Sequence, residues 1–193
     1  MRYKHLLFDL DGTLTDPKDG ITGCVRHALL QVGIHEDNPD RLLPYIGPPL
    51  ARSFREFHGL NEEQSGLAVH HYRERFTEIG MYVNEVYPVI RELLAQARQD
   101  GYTIALATSK LQRFADAILD HYGLSGYFDA VAGSHPADGR HEKGDVIRHL
   151  LREYGYAPDV TLMIGDTKYD VEGARENRID SIAVSYGYGT CSE

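Results

Sequence analysis

The chain has little of several residue types, and each shortage excludes a class of protein. Its 193 residues include two cysteines, Cys24 and Cys191, and no tryptophan. Two cysteines near opposite ends of a chain cannot form a disulfide framework or a zinc site, so we expect a reducing compartment and predict a cytoplasmic protein. The apolar stretch before Asp9 is a few residues long, which is too short for the core of a signal peptide.

Positive charge and long apolar runs are also scarce. Lys and Arg number 20 against 29 Asp and Glu, which gives a formal net charge of −9. Nucleic acids and anionic membranes favour basic surfaces, so we expect neither as a partner. No run approaches the ~20 consecutive apolar residues that a membrane span requires. A small phosphorylated partner remains compatible with this charge, because a bound cation and one or two lysines can reverse the local field.

Four carboxylates in two distant segments carry most of the chemical information. The first segment, residues 9–16, reads Asp-Leu-Asp-Gly-Thr-Leu-Thr-Asp, and the second, residues 165–170, reads Gly-Asp-Thr-Lys-Tyr-Asp. Each follows a short apolar stretch that is typical of a buried parallel strand. The carboxyl ends of parallel strands converge on one crevice, where clustered carboxylates repel one another unless a hard cation joins them. The sequence therefore predicts an Mg²⁺ site at a sheet edge, formed by Asp9, Asp11, Asp166 and Asp170.

Strand and helix patterns alternate from about Val83 onward. Strands are predicted at 4–9, 103–107, 128–132, 160–164 and 181–184, and helices at 111–122, 143–154 and 169–177. A further helix is predicted to begin at Pro88, with an apolar face formed by Val89, Leu93, Leu94 and Ala97. This alternation indicates βαβ units with right-handed crossovers and a parallel sheet.

Residues 17–82 interrupt this alternation and contain helical patterns only, at 21–32, 50–57 and 62–79. We therefore predict two domains. Residues 1–16 together with 83–193 form an α/β catalytic core, and residues 17–82 form an all-helical cap inserted after the first strand. An insertion so close to the predicted metal site is typical of a lid.

Several side chains near the predicted strand ends fit phosphoryl chemistry. Asp is a covalent nucleophile towards phosphoryl groups, so Asp9 or Asp11 can attack while the other carboxylate handles a proton. Thr108 and Ser109 follow a strand and can donate to a phosphate. Lys143 begins a helix, where the macrodipole disfavours a cation, and this position suggests an anionic partner. Lys110 fits either a second phosphate contact or a surface charge, and the surface interpretation is favoured.

With these residues in this order along the sequence, the chain resembles the haloacid dehalogenase-like phosphatases, and within them the phosphoglycolate phosphatase-like group. The segment Asp9 to Asp16 is similar to the family's first motif, the strand ending in Thr108 to the second, Lys143 to the third, and Gly165 to Asp170 to the fourth. The motifs occur in order, and the similarity covers essentially the whole chain. The resemblance implies a doubly wound, Rossmann-like parallel sheet with an inserted helical cap.

The resemblance also implies a role for each matching residue. Asp9 is expected to be the nucleophile and a metal ligand, and Asp11 the general acid and base, with its backbone carbonyl on the metal. Thr108, Lys143 and the backbone N–H groups of Leu10, Asp11 and Ser109 are expected to hold the phosphoryl group, and Asp166 and Asp170 to complete the Mg²⁺ site. In the cap, Gly47 is expected to approach the substrate, and Arg52 or Arg55 to assist with a substrate anion.

The expected function is Mg²⁺-dependent hydrolysis of a small phosphorylated metabolite by a monomer or homodimer. A phosphoglycolate-like substrate is favoured, ahead of nucleoside monophosphates and sugar phosphates. A phosphomutase of the same fold is the next alternative. A carbon–halogen hydrolase has no use for a second acid at Asp11, and a catalytically silent binding module has no need of the nucleophile Asp9.

Overall fold

The structure is a computed structural model that describes residues 2–189, so Cys191 lies outside the described residues. The chain divides into two compact units, Met1–Asp16 with Val86–Glu193, and Pro17–Glu85. Two short strands, β2 (Thr15–Asp16) and β3 (Glu85–Val86), lie where the chain passes from one unit to the other. The two units differ in secondary structure, and each is described by itself.

The first unit contains a five-stranded parallel sheet in the order β5–β4–β1–β6–β7. Its strands are β1 (His5–Phe8), β4 (Thr103–Leu111), β5 (Ala130–Ser134), β6 (Thr161–Gly165) and β7 (Asp180–Ala183). The central strand β1 pairs with β4 on one side and β6 on the other, so that Phe8 lies beside Leu106 and Ile164. The predicted parallel sheet is confirmed, and the carboxyl ends of its three middle strands share one edge.

Four helices flank this sheet: α4 (Ile90–Gln99), α5 (Gln112–His121), α6 (Lys143–Glu153) and α7 (Lys168–Glu176). Four consecutive residues of β4, Ile104 to Ala107, are fully buried. Burial without alternation means that both faces of the strand are covered, as expected in a parallel sheet between two helical layers. One buried cluster joins β1, β4, β5 and β6 to α6 and α7 through residues that include Leu7, Ala105, Ala132, Val146, Met163 and Ala174.

The helix predicted to begin at Pro88 begins instead at Ile90. Val89 precedes it in a left-handed conformation, with φ 62°, and is 71% exposed. The buried face of α4 consists of Ile90, Leu94 and Ala97, and Leu93 is 49% exposed. The predicted face was wrong in Val89 and Leu93, because a later start leaves Val89 outside the helix and makes Ile90, with its partners four and seven positions on, the inward stripe.

Strand β4 is longer than predicted. It continues past Ala107 to Leu111, and its pairing with β5 shifts register between these two residues. Such irregularities in a ladder bend a strand and redirect its side chains, and they are common beside active sites. The extension carries Thr108, Ser109 and Lys110 beyond the regular part of the sheet.

The second unit is helical, with α1 (Lys18–Gln31), α2 (Leu50–His58) and α3 (Glu62–Glu78). A buried chain of polar groups ties the segment before α2 to that helix. The hydroxyl of Tyr45 lies 2.7 Å from Nδ1 of His58, and Nε2 of His58 lies 3.3 Å from Oε2 of Glu36. Arg41 pairs with the same oxygen at 2.8 Å. Among residues 2–189, no helix combines the length and the apolar composition needed to cross a membrane.

Candidate active site

The shared edge of the first unit's sheet brings together the predicted site residues of β1, β4 and β6. Asp9 directly follows β1, and its backbone N–H donates to the carbonyl of Ile164 at 2.9 Å. Asp166 directly follows β6, and Thr108 lies in the extended part of β4. All three side chains are at least nine-tenths buried. Polar side chains this deep require partners, because an unpaired buried polar group is costly.

The loop after β1 folds tightly over this edge. The N–H groups of Leu14 and Thr15 both donate to the carbonyl of Leu10, at 2.9 and 3.0 Å. Gly12 has φ +83°, a region that favours glycine, and a Cβ there would lie 2.2 Å from Oδ2 of Asp166. Gly12 is therefore required twice, for the backbone turn and for the approach of Asp166. Leu10 and Asp11 lie in this loop, immediately after Asp9.

Three carboxylates form a buried acidic triad. Ligand oxygens of Asp9, Asp166 and Asp170 all lie within 4.8 Å of one another. Asp170 is held at the start of α7, where its Oδ2 accepts from the backbone N–H of Thr167 at 3.0 Å and from its hydroxyl at 2.9 Å. An all-oxygen, carboxylate-rich donor set is the type that Mg²⁺ binds. The side chain of Asp11 is not part of the triad.

Lys143 is the counter-charge of this triad. Its Nζ lies 2.8 Å from Oδ1 of Asp9 and 2.6 Å from Oδ1 of Asp170, and it donates to the carbonyl of Ala107 at 2.9 Å. The side chain is 3% exposed. Burial by itself would lower the pKa of Lys143, but Asp170 and Asp9 raise it above its usual range. Lys143 is therefore a buried cation, and the macrodipole penalty of its position is offset by two carboxylates.

The charges of the site do not balance without a further cation. One lysine faces three carboxylates, and burial raises the pKa of Asp9 well above its usual range despite the opposing effect of Lys143. Burial also raises the pKa of Asp166, while the N–H of Tyr188 acts to lower it. A divalent cation among the three oxygens would reverse both shifts. The residues therefore fit the Mg²⁺ that the sequence predicts.

Lys110 is buried beside Asp11, and its interpretation as a surface charge was wrong. Its Nζ lies 2.7 Å from Oδ2 of Asp11, and the two side chains are 7% and 11% exposed. The register shift at the end of β4 turns Lys110 inward, an irregularity that apolar periodicity does not reveal. The other oxygen of Asp11, Oδ1, is buried and has no hydrogen-bond partner among the described residues. Asp11 thus has one oxygen in an ion pair and one available to a bound group.

A segment near the end of the described chain contributes contacts that sequence reasoning missed. The backbone N–H of Tyr188 donates to Oδ2 of Asp166 at 2.7 Å, and the hydroxyl of Thr13 donates to Oδ1 at 3.3 Å. The hydroxyl of Tyr186 donates to the carbonyl of Thr13 at 2.8 Å, and that of Tyr188 to Asp16. The sequence feature that could have indicated these contacts is the alternation Tyr-Gly-Tyr-Gly at 186–189. Its glycines permit close approach of the backbone to another segment, and its tyrosines supply hydroxyl groups.

The three residues predicted to bind substrate from the helical insertion belong to the second unit. Gly47 has φ +107° and lies before α2. Arg52 pairs with Glu56 at 2.7 Å, one turn along α2. Arg55 is exposed on the same helix. By contrast, Asp9, Asp11, Thr108, Lys143, Asp166 and Asp170 are all gathered within the first unit, with Leu10 and Ser109 adjacent to them in sequence.

Comparisons with known proteins identify the family of this chain. The family model described as "Haloacid dehalogenase-like hydrolase" matches residues 6–184. A predicted phosphatase from Clostridium acetobutylicum, whose crystal structure is known, superposes with a TM-score of 0.95 at 40% identity, covering 100% of this chain and 89% of that one.

Three relatives have more specific names. A 5'-nucleotidase of Pseudomonas aeruginosa is 45% identical over 100% of this chain and 87% of its own length. The tyrosine-protein kinase PtkA of Mycobacterium tuberculosis is 37% identical over 95% of this chain, which spans 62% of that protein. A phosphoglycolate phosphatase of Aquifex aeolicus is 28% identical over 95% of this chain and 85% of its own length. The resemblance read from the motifs is confirmed, and the chain belongs to the haloacid dehalogenase-like hydrolase family as a phosphatase.

Proposed function

We propose that this protein is an Mg²⁺-dependent phosphomonoester hydrolase that acts through an aspartyl-phosphate on Asp9. The observation that carries the proposal is the position of Asp9, buried between Lys143 and the other carboxylates of the triad, with Asp11 two residues away. A carboxylate in such a place is costly for stability, and perturbed carboxylates in a polar crevice are typical of catalytic sites.

In the first step, an oxygen of Asp9 attacks the phosphorus of the substrate, and the bond from phosphorus to the ester oxygen breaks. The leaving oxygen takes a proton from Asp11, whose Oδ1 has no other hydrogen-bond partner among the described residues. Lys110 balances the charge of Asp11 when that carboxylate is ionised. In the second step, Asp11 accepts a proton from water as the water attacks phosphorus, which releases phosphate and restores Asp9.

Binding of the phosphoryl group is assigned to residues around Asp9. The ammonium of Lys143 neutralises phosphoryl charge, and the hydroxyl of Thr108 donates to a phosphoryl oxygen, assisted by the backbone N–H groups of Leu10, Asp11 and Ser109. Positioning and charge neutralisation supply most of the catalysis in phosphoryl transfer, because little covalent chemistry is required of the protein.

The metal is assigned to Asp9, Asp166 and Asp170, with the backbone carbonyl of Asp11. When bound, Mg²⁺ neutralises charge on the phosphoryl oxygens and aligns the phosphate with the nucleophile. Asp166 is oriented for this role by the N–H of Tyr188 and the hydroxyl of Thr13. Asp170 is oriented by Thr167, whose backbone N–H donates to Oδ2 of Asp170.

The motif pattern favours a phosphoglycolate-like substrate. The more similar of the two named phosphatase relatives is a 5'-nucleotidase, at 45% identity against 28% for the phosphoglycolate phosphatase. We therefore place nucleoside 5'-monophosphates first and phosphoglycolate second. Both classes carry a dianionic phosphate monoester and need the same chemistry at Asp9.

The experiment that tests this function is phosphate release from a panel of phosphorylated metabolites, measured with Mg²⁺ and with a chelator. The panel contains nucleoside 5'-monophosphates, phosphoglycolate and sugar phosphates. We expect Mg²⁺-dependent release, with the highest kcat/KM for a nucleoside monophosphate. Isomerised product without release would establish a phosphomutase instead, and no turnover of any compound would contradict the hydrolase.

The second unit is proposed to act as a lid that excludes water and recognises the leaving group. If Arg52 and Arg55 bind a substrate anion, Arg52→Ala and Arg55→Ala should each raise KM for the best substrate by about 10- to 150-fold, because a hydrogen bond to a charged group contributes ~1.5–3 kcal/mol. The value of kcat should change much less. Glu56→Gln, which removes the partner of Arg52 on the same helix, is the matched control. An unchanged KM in both arginine variants, for every anionic substrate, would exclude them from recognition.

A further inference from the structure

Residues 186–189 lie directly against the carboxylate of Asp166. The backbone N–H of Tyr188 donates to Oδ2 of Asp166 at 2.7 Å. A Cβ at Gly187 would lie 2.4 Å from the same oxygen, so no other residue type fits there without moving the carboxylate. Asp166 is thus pressed between this segment and the loop that contains Gly12. Its orientation depends on where the backbone of Tyr188 lies.

The side chain of Tyr188 fixes that backbone at its other end. Its hydroxyl donates to Oδ1 of Asp16. Burial and the hydrogen bond to Asp16 raise the pKa of Tyr188 above its usual range, so the phenol remains a donor throughout the physiological pH range. Tyr188 also shares a hydrogen bond with Tyr87. Tyr186 packs edge-to-face on Tyr87, with ring centroids 4.9 Å apart.

Tyr87, Tyr186 and Tyr188 form one cluster. It includes or contacts residues next to both points where the chain passes between the two units. Asp16 is the last residue of the first unit before the second begins, and Tyr87 is the second residue after the chain returns. The backbone N–H of Tyr87 donates to the carbonyl of Leu14, in the same loop as Asp11. One cluster therefore contacts a carboxylate of the acidic triad and the first-unit ends of both linkers.

We propose that Tyr188 is a positioning residue for Asp166, and that through Asp16 it couples metal affinity to the linkers between the two units. The inference rests on the proposed metal site. The phenol of Tyr188 anchors to Asp16, and the anchored backbone holds its N–H against Oδ2 of Asp166. That contact orients one carboxylate of the acidic triad. A role in packing alone would require the ring of Tyr188 and not its hydroxyl, and this difference can be measured.

The test is calorimetric titration of the metal-free full chain with Mn²⁺, a probe for the Mg²⁺ site. Tyr188→Phe keeps the ring and the backbone N–H and removes the hydroxyl, which makes the link to Asp16 and the contact with Tyr87. We expect it to raise the Kd for Mn²⁺ by about 10-fold, at the lower end of the effects of groups that orient metal ligands. Asp16→Asn should weaken binding similarly. The double variant should be no weaker than the weaker single variant, because both changes break the same link.

Two further measurements separate positioning from general stability. In phosphate release with the best substrate, kcat of Tyr188→Phe should return to near the wild-type value at saturating Mg²⁺, since the defect lies in metal affinity. Tyr154→Phe, on a half-exposed tyrosine at the end of α6 opposite to Lys143, is the control and should bind Mn²⁺ as the wild type does.

Wild-type affinity in Tyr188→Phe, or additive losses in the double variant, would overturn the coupling while leaving the hydrolase proposal intact. Failure of the wild type to bind Mn²⁺ would refute the metal site itself, and the coupling with it.

Discussion

Replacing Asp9 by Asn is expected to abolish phosphate release, with kcat about 10⁴-fold or more below the wild type, a loss typical of removing a catalytic nucleophile. Asn has nearly the same shape as Asp, and its carbonyl can still accept a hydrogen bond from Lys143, so the fold should be retained. The measurement is phosphate release from the best substrate of the panel at saturating Mg²⁺.

The same variant should be more stable than the wild type when no metal is present. The pKa of Asp9 in the folded protein lies above its unfolded value, chiefly because of burial. A raised carboxylate pKa means that the folded state loses stability as pH rises from the unfolded pKa, ~3.9, towards the folded one. The gain in melting temperature should therefore appear at pH 8 and vanish near pH 4.

Asp145→Asn is the matched control for Asp9→Asn, because Asp145 caps α6 outside the acidic triad. It should retain turnover and show no stability gain at pH 8. Hydrolysis at a near wild-type rate by Asp9→Asn would remove Asp9 as the nucleophile. A metal-free melting temperature below that of the wild type at pH 8 would show that the carboxylate is not under electrostatic strain.

The parallel sheet and the location of the acidic residues were predictable, because both depend on local patterns. Short apolar runs followed by Asp9 and by Asp166 place each carboxylate at the end of a buried strand, and parallel strands point their ends at one edge. Lys143 was identified from its unfavourable position at a helix start, which suggested an anionic partner. The structure supplies two such partners, Asp9 and Asp170.

The burial of Lys110 and the contacts of Tyr188 could not be predicted in this way. Lys110 turns inward because β4 shifts register after Ala107, and a single irregular pairing leaves no period in the sequence. Tyr188 is separated from Asp16 by most of the chain, so their contact depends on tertiary packing. Both residues contact site carboxylates that the sequence did identify. The unpredicted part of the site is therefore the set of groups that hold those carboxylates in place.

Lys143→Met is expected to be the most destabilising single change in the site when no metal is present. It leaves the buried carboxylates of Asp9 and Asp170 without their cation, a situation that typically costs ~3–5 kcal/mol. For a chain of this size the melting temperature should fall by roughly 10 °C. Asp9, whose pKa burial already raises, escapes part of this cost by binding a proton, so the fall should be larger at pH 8 than at pH 5. Turnover should be lost as well, because phosphoryl charge is no longer neutralised.

Two additions should reverse the stability loss of Lys143→Met without restoring turnover. Mg²⁺ in excess should raise the melting temperature at pH 8 more in this variant than in the wild type, since the cation replaces the missing positive charge. Adding Asp166→Asn, which removes one of the three carboxylates, should restore part of the metal-free stability. Lys168→Met, which removes a lysine at the start of α7, is the matched control and should change the melting temperature by less than about 2 °C. If Lys143→Met melted like the wild type at pH 8, the acidic triad would not carry the uncompensated charge from which its metal site is inferred.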